Sequence, residues 1–510
     1  MRVSLSKREG TWMLAALIAI LALAALLRFA DIGGESYWLD EIIMVRLTGN
    51  NFDTVLNEIQ GTDRPPVYVL LGYAWAQLFG TSEAATRSLS ALAGVVAIGV
   101  MYLIGRELYR REVGLLAALV MAVSAFQVWY SQEYRYYAVF ELVVLFAVLF
   151  YVLWLKHGHT VDLIAYTVFS AVAAYVHTYA IFFYVGLGLH FLTQWRAQAP
   201  RRWLWIASQV VIVLAVLPRI LATFGTISTV IPENTVGGGT PVVDWLPVPP
   251  LYAPLRTLIN FMFIQRSYLS WTVIGIGVAV LLIGIAAYAF TRRTGWRDDV
   301  RATVSAVRGL FDSHLVLVLL WLVCPIGITF LLSHIFAPMY LDRFVITAAP
   351  AWYLLIALAM WTLRRVVPVV LSVAVLLILI GGVLWTYYTQ DLKEQWRETA
   401  AFINAGIQPG DALALSYGIF PGDAFNIRDS FSWYYPAMTS DCFVDVRGDT
   451  AALEQQIRTC ARQSDRLWLV VYAANPEGDR LTLSALPENY PLIETRDFVG
   501  TTIYLFDLQP

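Results

Sequence analysis

A polytopic α-helical membrane protein that ends in a small α/β domain is the fold the sequence predicts, and three observations predict it. The 510 residues are 58% hydrophobic and 14% charged, where a soluble chain carries about 25% charged residues. Apolar runs long enough to cross a bilayer recur as far as residue 388. After Gln390 the composition turns abruptly polar, with helix-like and strand-like segments in alternation. The 18 Trp and 27 Tyr suit a chain with many anchors at the membrane interface. A net charge of −2, with no basic patch interleaved with aromatics, argues against nucleic acid as a partner.

The first apolar run covers residues 12–30, behind Arg2, Lys7 and Arg8. It is longer than the apolar core of a secretory signal, and no convincing small-x-small cleavage site follows, so it reads as an uncleaved first helix. Further runs lie at 85–104, 113–130, 138–155, 161–178, 180–195, 203–224, 271–290, 314–335, 344–361 and 367–388. The run 67–80 is ambiguous, being short and begun by Pro65-Pro66. Charge bias decides it. If 67–80 lies at the interface instead of spanning, then Arg106–Arg111, Lys156, Arg196/Arg201/Arg202, Arg292–Arg308 and Arg364/Arg365 all face the cytoplasm. The expectation is about eleven spanning helices in the inner (plasma) membrane, with the N-terminus cytoplasmic and the C-terminus outside.

Two domains follow from this pass: a membrane domain over 1–389 and an extracytoplasmic α/β domain over 390–510. The membrane domain carries a large first external loop (31–84) and a Gly/Pro-rich external loop (225–269) that reads as a mobile cover over a site. In the tail, 392–405 and 450–462 have helical periodicity, while 411–416, 466–472 and 501–506 read as strands. No G-x-G-x-x-G is present there, so the domain reads as structural or acceptor-facing. Cys324 sits in an apolar run as a small core residue, whereas Cys442 and Cys460 are able to pair if the tail is extracytoplasmic.

The topology gathers the unusual polar residues on the outer side: Asp40, Glu41, Asp63, Arg64, Glu133, Arg135, His177, His334, Asp342 and Arg343. Two adjacent carboxylates beside a bilayer are costly unless hydrated, paired or used. Carboxylates and arginines at one membrane face are what group transfer from a phosphorylated lipid needs, a base for an acceptor hydroxyl and cations for a departing phosphate. Each residue also has a plain structural reading. Asp40 and Glu41 would cap the helix that follows, Arg135 and Arg343 would snorkel, and Glu133 would pair with Arg135. His177 would be a satisfied core histidine, and Arg28 a snorkelling residue near the end of the first helix.

Several short elements, in order, resemble a known family. Trp38-Leu39-Asp40-Glu41 resembles the W-x-D-E signature in the first external loop of C-type (GT-C) membrane glycosyltransferases. The nearest group is the bacterial branch of dolichyl-phosphate-mannose protein mannosyltransferases, similar to the lipid A amino-arabinose transferases. Asp63-Arg64-Pro65-Pro66, then Phe79-Gly80-Thr81-Ser82-Glu83 with Arg87, resemble the elements that follow. The stretch Tyr130–Ala138 resembles a Y-S-Q-E-x-R-x-Y-A box, and His177-Thr178-Tyr179-Ala180 an H-x-Y-A element. Asp342-Arg343-Phe344 resembles a late loop, and Gln395-Trp396-Arg397 the opening of the C-terminal domain. Two departures stand out: Arg64 replaces the His common before Pro-Pro, and Ile42-Ile43-Met44 replaces the Arg-Tyr that follows D-E in the amino-arabinose enzymes.

The resemblance implies a GT-C-like fold with interfacial helices in the first loop and an inverting transferase that uses a polyprenyl-phosphate sugar donor. Asp40 becomes the base, with Glu41 beside it as catalytic helper. Asp63, Arg64, Glu133, Arg135, Tyr137, His177, Tyr179 and Arg343 become the substrate-binding set. A glycan, lipid or protein supplies the acceptor hydroxyl, and membrane lipid surrounds the chain. A divalent cation is the one cofactor left open, with Glu41 and Glu133 as its ligands. The alternative class is a transporter or flippase of a lipid-linked anion, which favours charges near the midplane and repeated halves; neither is visible here. A non-catalytic scaffold is the third, and it leaves the Asp40-Glu41 pair unexplained.

Overall fold

The structure, a computed structural model, describes residues 7–61, 64–230, 246–264, 313–365, 367–417, 423–436, 442–445, 450–461, 464–472 and 490–508. Every predicted apolar run is helical within them except 271–290, which lies outside the described residues. Six of these helices are long and apolar enough to cross a membrane: Gly10–Phe29, Glu83–Leu108, Tyr137–His157, Arg202–Ala222, Ser313–Ile335 and Val369–Thr389. The run 113–130 is helical but broken, as Arg111–Val123 and Ala125–Ser131 meet at 63°. Thr160–Val176 and Ala180–Thr193 are shorter apolar helices, and the ambiguous run forms the helix Pro66–Phe79.

The described chain divides into two compact units. The first comprises Met1–Ala30, Phe52–Trp75 and Arg87–Tyr387. It is the helical membrane body, packed through pairs such as Tyr137–His157 against Thr160–Val176, and Ala180–Thr193 against Ser313–Ile335. The second comprises Asp31–Asn51, Ala76–Thr86 and Tyr388–Pro510. The segment that carries Asp40 and Glu41 therefore folds with the C-terminal tail, although more than three hundred residues separate them in sequence.

The tail is an α/β unit around a five-stranded sheet of order β2-β1-β3-β5-β4. Strand β1 (Ala412–Tyr417) pairs in parallel with β2 (Phe443–Asp445) and β3 (Arg466–Tyr472), while β5 (Thr501–Asp507) runs antiparallel to β3 and to β4 (Leu492–Phe498). Alternation places Leu467, Leu469 and Val471 on one face of β3, where they pack with Ala414, Phe506 and Ile457 of the helix Thr450–Cys460. Cys442 and Cys460 form a disulfide that joins the start of β2 to the end of that helix. The segments 411–416, 466–472 and 501–506 are strands, as their patterns predict. The strand β4 went unpredicted because Leu492-Ile493-Glu494-Thr495-Arg496-Asp497 is an exposed edge with no apolar face to bury.

Asp411 locks the base of this sheet. Its carboxylate accepts from Arg466 Nη2 at 2.6 Å, the Gln408 amide at 2.8 Å and Trp468 Nε1 at 3.0 Å. Burial alone would raise the carboxyl, but these bonds outweigh it and hold the group below its ordinary value. A depressed folded value means the contribution is present above the unfolded pKa and is lost as the pH falls through the folded one. We expect Asp411→Asn to cost about 2 kcal/mol at pH 7, the scale of charge-assisted hydrogen bonds. In denaturant melts the gap to wild type should close below about pH 4, the range in which an aspartate protonates.

Candidate active site

The membrane unit builds its site outward from a helix break. A break inside an apolar body leaves carbonyls without intrahelical donors, which is costly where water cannot reach. Arg28, fully buried, meets that need: Nη1 donates to Ala122 O at 2.9 Å, Nη2 to Met121 O at 3.3 Å and Nε to Ser131 Oγ at 3.1 Å. Arg28 is thus not a snorkelling residue. Ser124, the first residue after the break, accepts from the Gln127 amide and donates to Phe261 O at 2.7 Å. Gly94 of the neighbouring helix allows the approach, since a Cβ there would sit 2.3 Å from Ser131 Oγ and 2.9 Å from Arg28 Nε.

The break aims the helix Ala125–Ser131, and the Tyr130–Ala138 box follows directly from its end. Half of the box proves structural. Gln132 Nε2 donates to Ala30 O, Arg28 O and Leu27 O at 2.8–3.3 Å, capping the last carbonyls of the first helix, while Tyr387 OH donates to Gln132 Oε1. Glu133 is buried and accepts from Trp129 Nε1 at 2.5 Å. The other half converges with distant elements. Arg135 lies over the Tyr136 ring at 5.0 Å. Tyr136 in turn contacts Tyr137 at 4.6 Å, His177 at 4.7 Å and Tyr68 at 6.1 Å.

His177 and Tyr179 bring in the next strand of the site. His177 ends the helix Thr160–Val176, stacks on Phe140 at 5.1 Å and meets Tyr179 at 4.9 Å, and its Nδ1 accepts from the Tyr179 amide at 3.1 Å. Tyr179 and His177 both touch Phe344, at 5.1 and 5.8 Å, and Arg343 lies over that ring at 5.6 Å. The loop that presents Arg343 is pinned: Asp342 accepts from Thr257 Oγ1 and Asn260 Nδ2, both at 2.5 Å, and Tyr179 OH donates to Met339 O at 2.6 Å. Arg135, Tyr137, His177, Tyr179 and Arg343, distant in sequence, are therefore linked by continuous ring contacts. Arg64 stands one turn before Tyr68, whose ring touches Tyr134 and Tyr136, and pairs with Glu58 at 3.4 Å. Asp63 lies outside the described residues.

One residue of this cluster escaped the sequence reading. Arg219 is buried in the helix Arg202–Val230, and its charge, like that of Arg135, acts on the His177 ring. An arginine directly after a proline, deep in an apolar helix, was the available signal. Arg135 and Arg343 thus lay two guanidinium groups on one aromatic surface, with the charge of Arg219 acting on it from the neighbouring helix, an arrangement suited to a phosphate on an apolar tail.

The second unit presents the acidic pair unequally. The helix Leu39–Thr48 starts after Trp38, whose side chain offers no oxygen to cap it. Glu41 is fully buried and turns back to the Trp38 amide at 3.5 Å, the reciprocal half of a capping box. Asp40, by contrast, is half-buried. The segment is docked by Tyr37 N–H to Tyr434 OH at 2.7 Å, by Arg46 Nη2 to Ser432 Oγ at 2.8 Å, and by the Leu392 and Lys393 amides to Glu35 at 2.6 and 2.9 Å. Glu83 adds a junction, accepting from Tyr434 OH at 2.8 Å and from Arg397 at 3.3 Å. Among the described residues no group of three His, Cys, Asp or Glu side chains is placed to hold a metal ion. Of the two carboxylates expected to serve one, Glu41 faces its own helix end and Glu133 faces the Trp129 indole.

Comparison with known proteins agrees with this architecture. The family described as dolichyl-phosphate-mannose-protein mannosyltransferase matches residues 63–221. Among solved structures, ArnT from Cupriavidus metallidurans in the apo state is similar at a TM-score of 0.56 and 11% identity, covering 98% of each chain. The same protein bound to undecaprenyl phosphate gives 0.51 and 13%, over 96% of this chain and 97% of that one. The archaeal oligosaccharyltransferase AglB from Archaeoglobus fulgidus, in complex with an inhibitory peptide and a dolichol-phosphate, gives 0.51 and 13%, over 98% of this chain and 74% of that one. At these identities the likeness is one of fold. No curated protein matches the chain.

Arg28→Met should leave the Ala122 and Met121 carbonyls and Ser131 short of their donor. Removing one partner of a buried charged network costs about 3 kcal/mol or more. We expect a clear fall in the unfolding temperature of the purified protein, read by tryptophan fluorescence. Arg28→Lys should recover little, because an ammonium on one stem does not reproduce the planar fork. A wild-type unfolding temperature in Arg28→Met would contradict this account of the break.

Proposed function

We propose that this chain, a membrane glycosyltransferase of the C-type fold, moves a sugar from a polyprenyl-phosphate donor to an acceptor hydroxyl with inversion at the anomeric carbon. The observation that carries the reading is that Arg135 and Arg343 lie on the aromatic surface of Tyr136, His177, Tyr179 and Phe344, with the Arg219 charge acting on His177. One protein of the same fold is bound to undecaprenyl phosphate and another to a dolichol-phosphate. Carried over to this chain, those ligands match its three guanidinium groups in chemistry. No observation favours the flippase alternative.

In the proposed reaction the donor phosphate lies against Arg135, Arg219 and Arg343, with Arg64 as a further contact. Asp40 takes the proton of the acceptor hydroxyl, whose oxygen forms the new bond to the anomeric carbon. The bond from that carbon to the phosphate oxygen breaks, and polyprenyl phosphate leaves with the electron pair. Guanidinium groups that gather the developing negative charge lower the barrier more than they tighten the ground state. Glu41 supports the helix from beneath. The donor belongs with polyprenyl-monophosphate hexoses or pentoses, and the acceptor is a glycan, a lipid or a protein.

We further propose that the second unit is extracytoplasmic and the N-terminus cytoplasmic. The Cys442–Cys460 disulfide supports this, since such bonds persist in oxidising compartments, as does the bias of basic loops to the opposite side.

Asp40→Asn should lower kcat by about 10²–10⁴-fold, the usual worth of a placed base, with the donor KM little changed. Arg343→Ala and Arg219→Ala should weaken donor use as well as turnover. Release of sugar from a labelled polyprenyl-phosphate donor, with and without acceptor, measures both, and near-normal transfer by folded Asp40→Asn would remove it as the base. For the orientation, an alkaline phosphatase fused after residue 510 should be active and a fluorescent protein fused there dark; the reverse result overturns it.

A further inference from the structure

We propose that Glu394 is a positioning residue, a carboxylate of the C-terminal segment that fixes the first turn of the helix bearing Asp40 and thereby sets the direction of the base. The inference rests on the transferase reading above, and it concerns residues of the second unit alone.

A helix begins with amides that have no partner within it, and a local Ser, Thr, Asp or Asn usually supplies one. Here the residue at that place is Trp38, which has no acceptor to offer. The need is met from 355 residues away: the Leu39 amide donates to Glu394 Oε2 at 3.2 Å. The same carboxylate is held on its other side. Trp396 Nε1 donates to Oε2 at 2.6 Å and Tyr472 OH to Oε1 at 2.6 Å, while the Glu394 main-chain carbonyl accepts from Ser36 Oγ at 2.6 Å. Trp396 is buried and stacks on Tyr472 at 5.6 Å, so the two donors share one rigid support. The Trp38 amide goes to Glu41. The Leu39 and Trp38 amides are thus served by Glu394 and Glu41.

The arrangement has a cost that a mere cap would avoid. Glu394 stands close enough to Asp40 for the charges to repel. Burial pushes the Glu394 carboxyl above its ordinary range, the hydrogen bonds from Tyr472, Trp396 and Leu39 pull it back, and the Asp40 charge pushes it up again. A structural cap is served equally well by a neutral Ser or Asn, with no repulsion. A second carboxylate beside the base holds the first turn by hydrogen bonds and also discourages Asp40 from turning inward toward it. This assigns the tail a role in catalysis that does not depend on touching the acceptor.

The test compares Glu394→Ala, Glu394→Gln and Tyr472→Phe in the full-length protein, with two readouts. Deuterium uptake in peptides covering residues 38–41, measured without any donor, should rise in Glu394→Ala and return most of the way in Glu394→Gln, which keeps an acceptor oxygen. In transfer assays Glu394→Ala should lower kcat by about 10²-fold, the scale of a small misplacement of a catalytic group, with the donor KM within about twofold. Tyr472→Phe should move both readouts in the same direction by less, and it serves if Glu394→Ala does not fold. Unchanged uptake at 38–41, a kcat within twofold of wild type, or Glu394→Gln as impaired as Glu394→Ala would each overturn the proposal. If wild-type protein releases no sugar from polyprenyl-phosphate donors, the transferase reading fails instead, and the uptake experiment still judges whether Glu394 fixes this turn.

Discussion

A single guanidinium among backbone carbonyls supports the arrangement of the membrane unit. Where the helix Arg111–Val123 gives way to Ala125–Ser131, carbonyls at 121 and 122 would otherwise lie buried without adequate partners, and Arg28 supplies them. Two paths leave that point. One runs through the short helix to the Tyr130–Ala138 box and so to Arg135. The other crosses through Ser124 and the Ala125 amide to Phe261 and Met262, at the end of the helix Ala253–Asn260. Thr257 and Asn260 of that helix hold Asp342, and Asp342 precedes Arg343. Two of the three clustered arginines therefore take their position from one buried polar junction. A straight, fully apolar first helix would have no means of stabilising the bend.

Much of the fold was legible because hydrophobic periodicity and length carry it. Within the described residues the apolar runs became helices, and β3 and β5 appeared where buried strands were expected. The edge strand β4 was not legible because it buries no apolar face, and the helix Asp423–Tyr434 because its two buried apolar residues, Ile427 and Phe431, stand among polar ones and are too few to mark a period. At the site, Arg135, Tyr137, His177, Tyr179 and Arg343 were legible through short boxes, and the structure joins them. Arg219 was not, because a lone arginine in an apolar helix reads first as a charge near an interface. The partition of the box was also hidden. Nothing in Tyr-Ser-Gln-Glu says that Ser131 and Gln132 serve backbone carbonyls while Arg135 faces the aromatic surface. Glu394 was invisible for a different reason: its importance comes from a contact 355 residues away in sequence, which no local pattern records.

The unequal fate of Asp40 and Glu41 follows from elementary helix chemistry. Two acids in a first turn are both favoured by the positive end of the helix. Only one of them, at the third helical position, has the reach to return to the preceding amide, and that is Glu41. Once it does so it is buried. Asp40, one residue earlier, stays half-buried. Adjacent carboxylates that look interchangeable as letters are thus separated into a buried acid and a half-buried one by a spacing of one residue.

The way the arginines are held bears on which of them meets a phosphate. Arg135 and Arg343 are each stacked on a ring, Tyr136 and Phe344. Stacking fixes the plane of a guanidinium through its face and leaves the N–H donors along its edge, where a phosphate oxygen approaches. Arg64 is held differently, with its Nε 3.4 Å from Glu58 Oε2 and no hydrogen bond made at that nitrogen. A partly exposed ion pair of that kind is worth little, so what sets Arg135 and Arg343 apart is orientation: each already lies with its guanidinium plane over a ring. On the proposed reading, that orientation ranks the stacked arginines ahead of Arg64 as contacts for a donor phosphate, although Arg64 belongs to the motif that the sequence displays more openly.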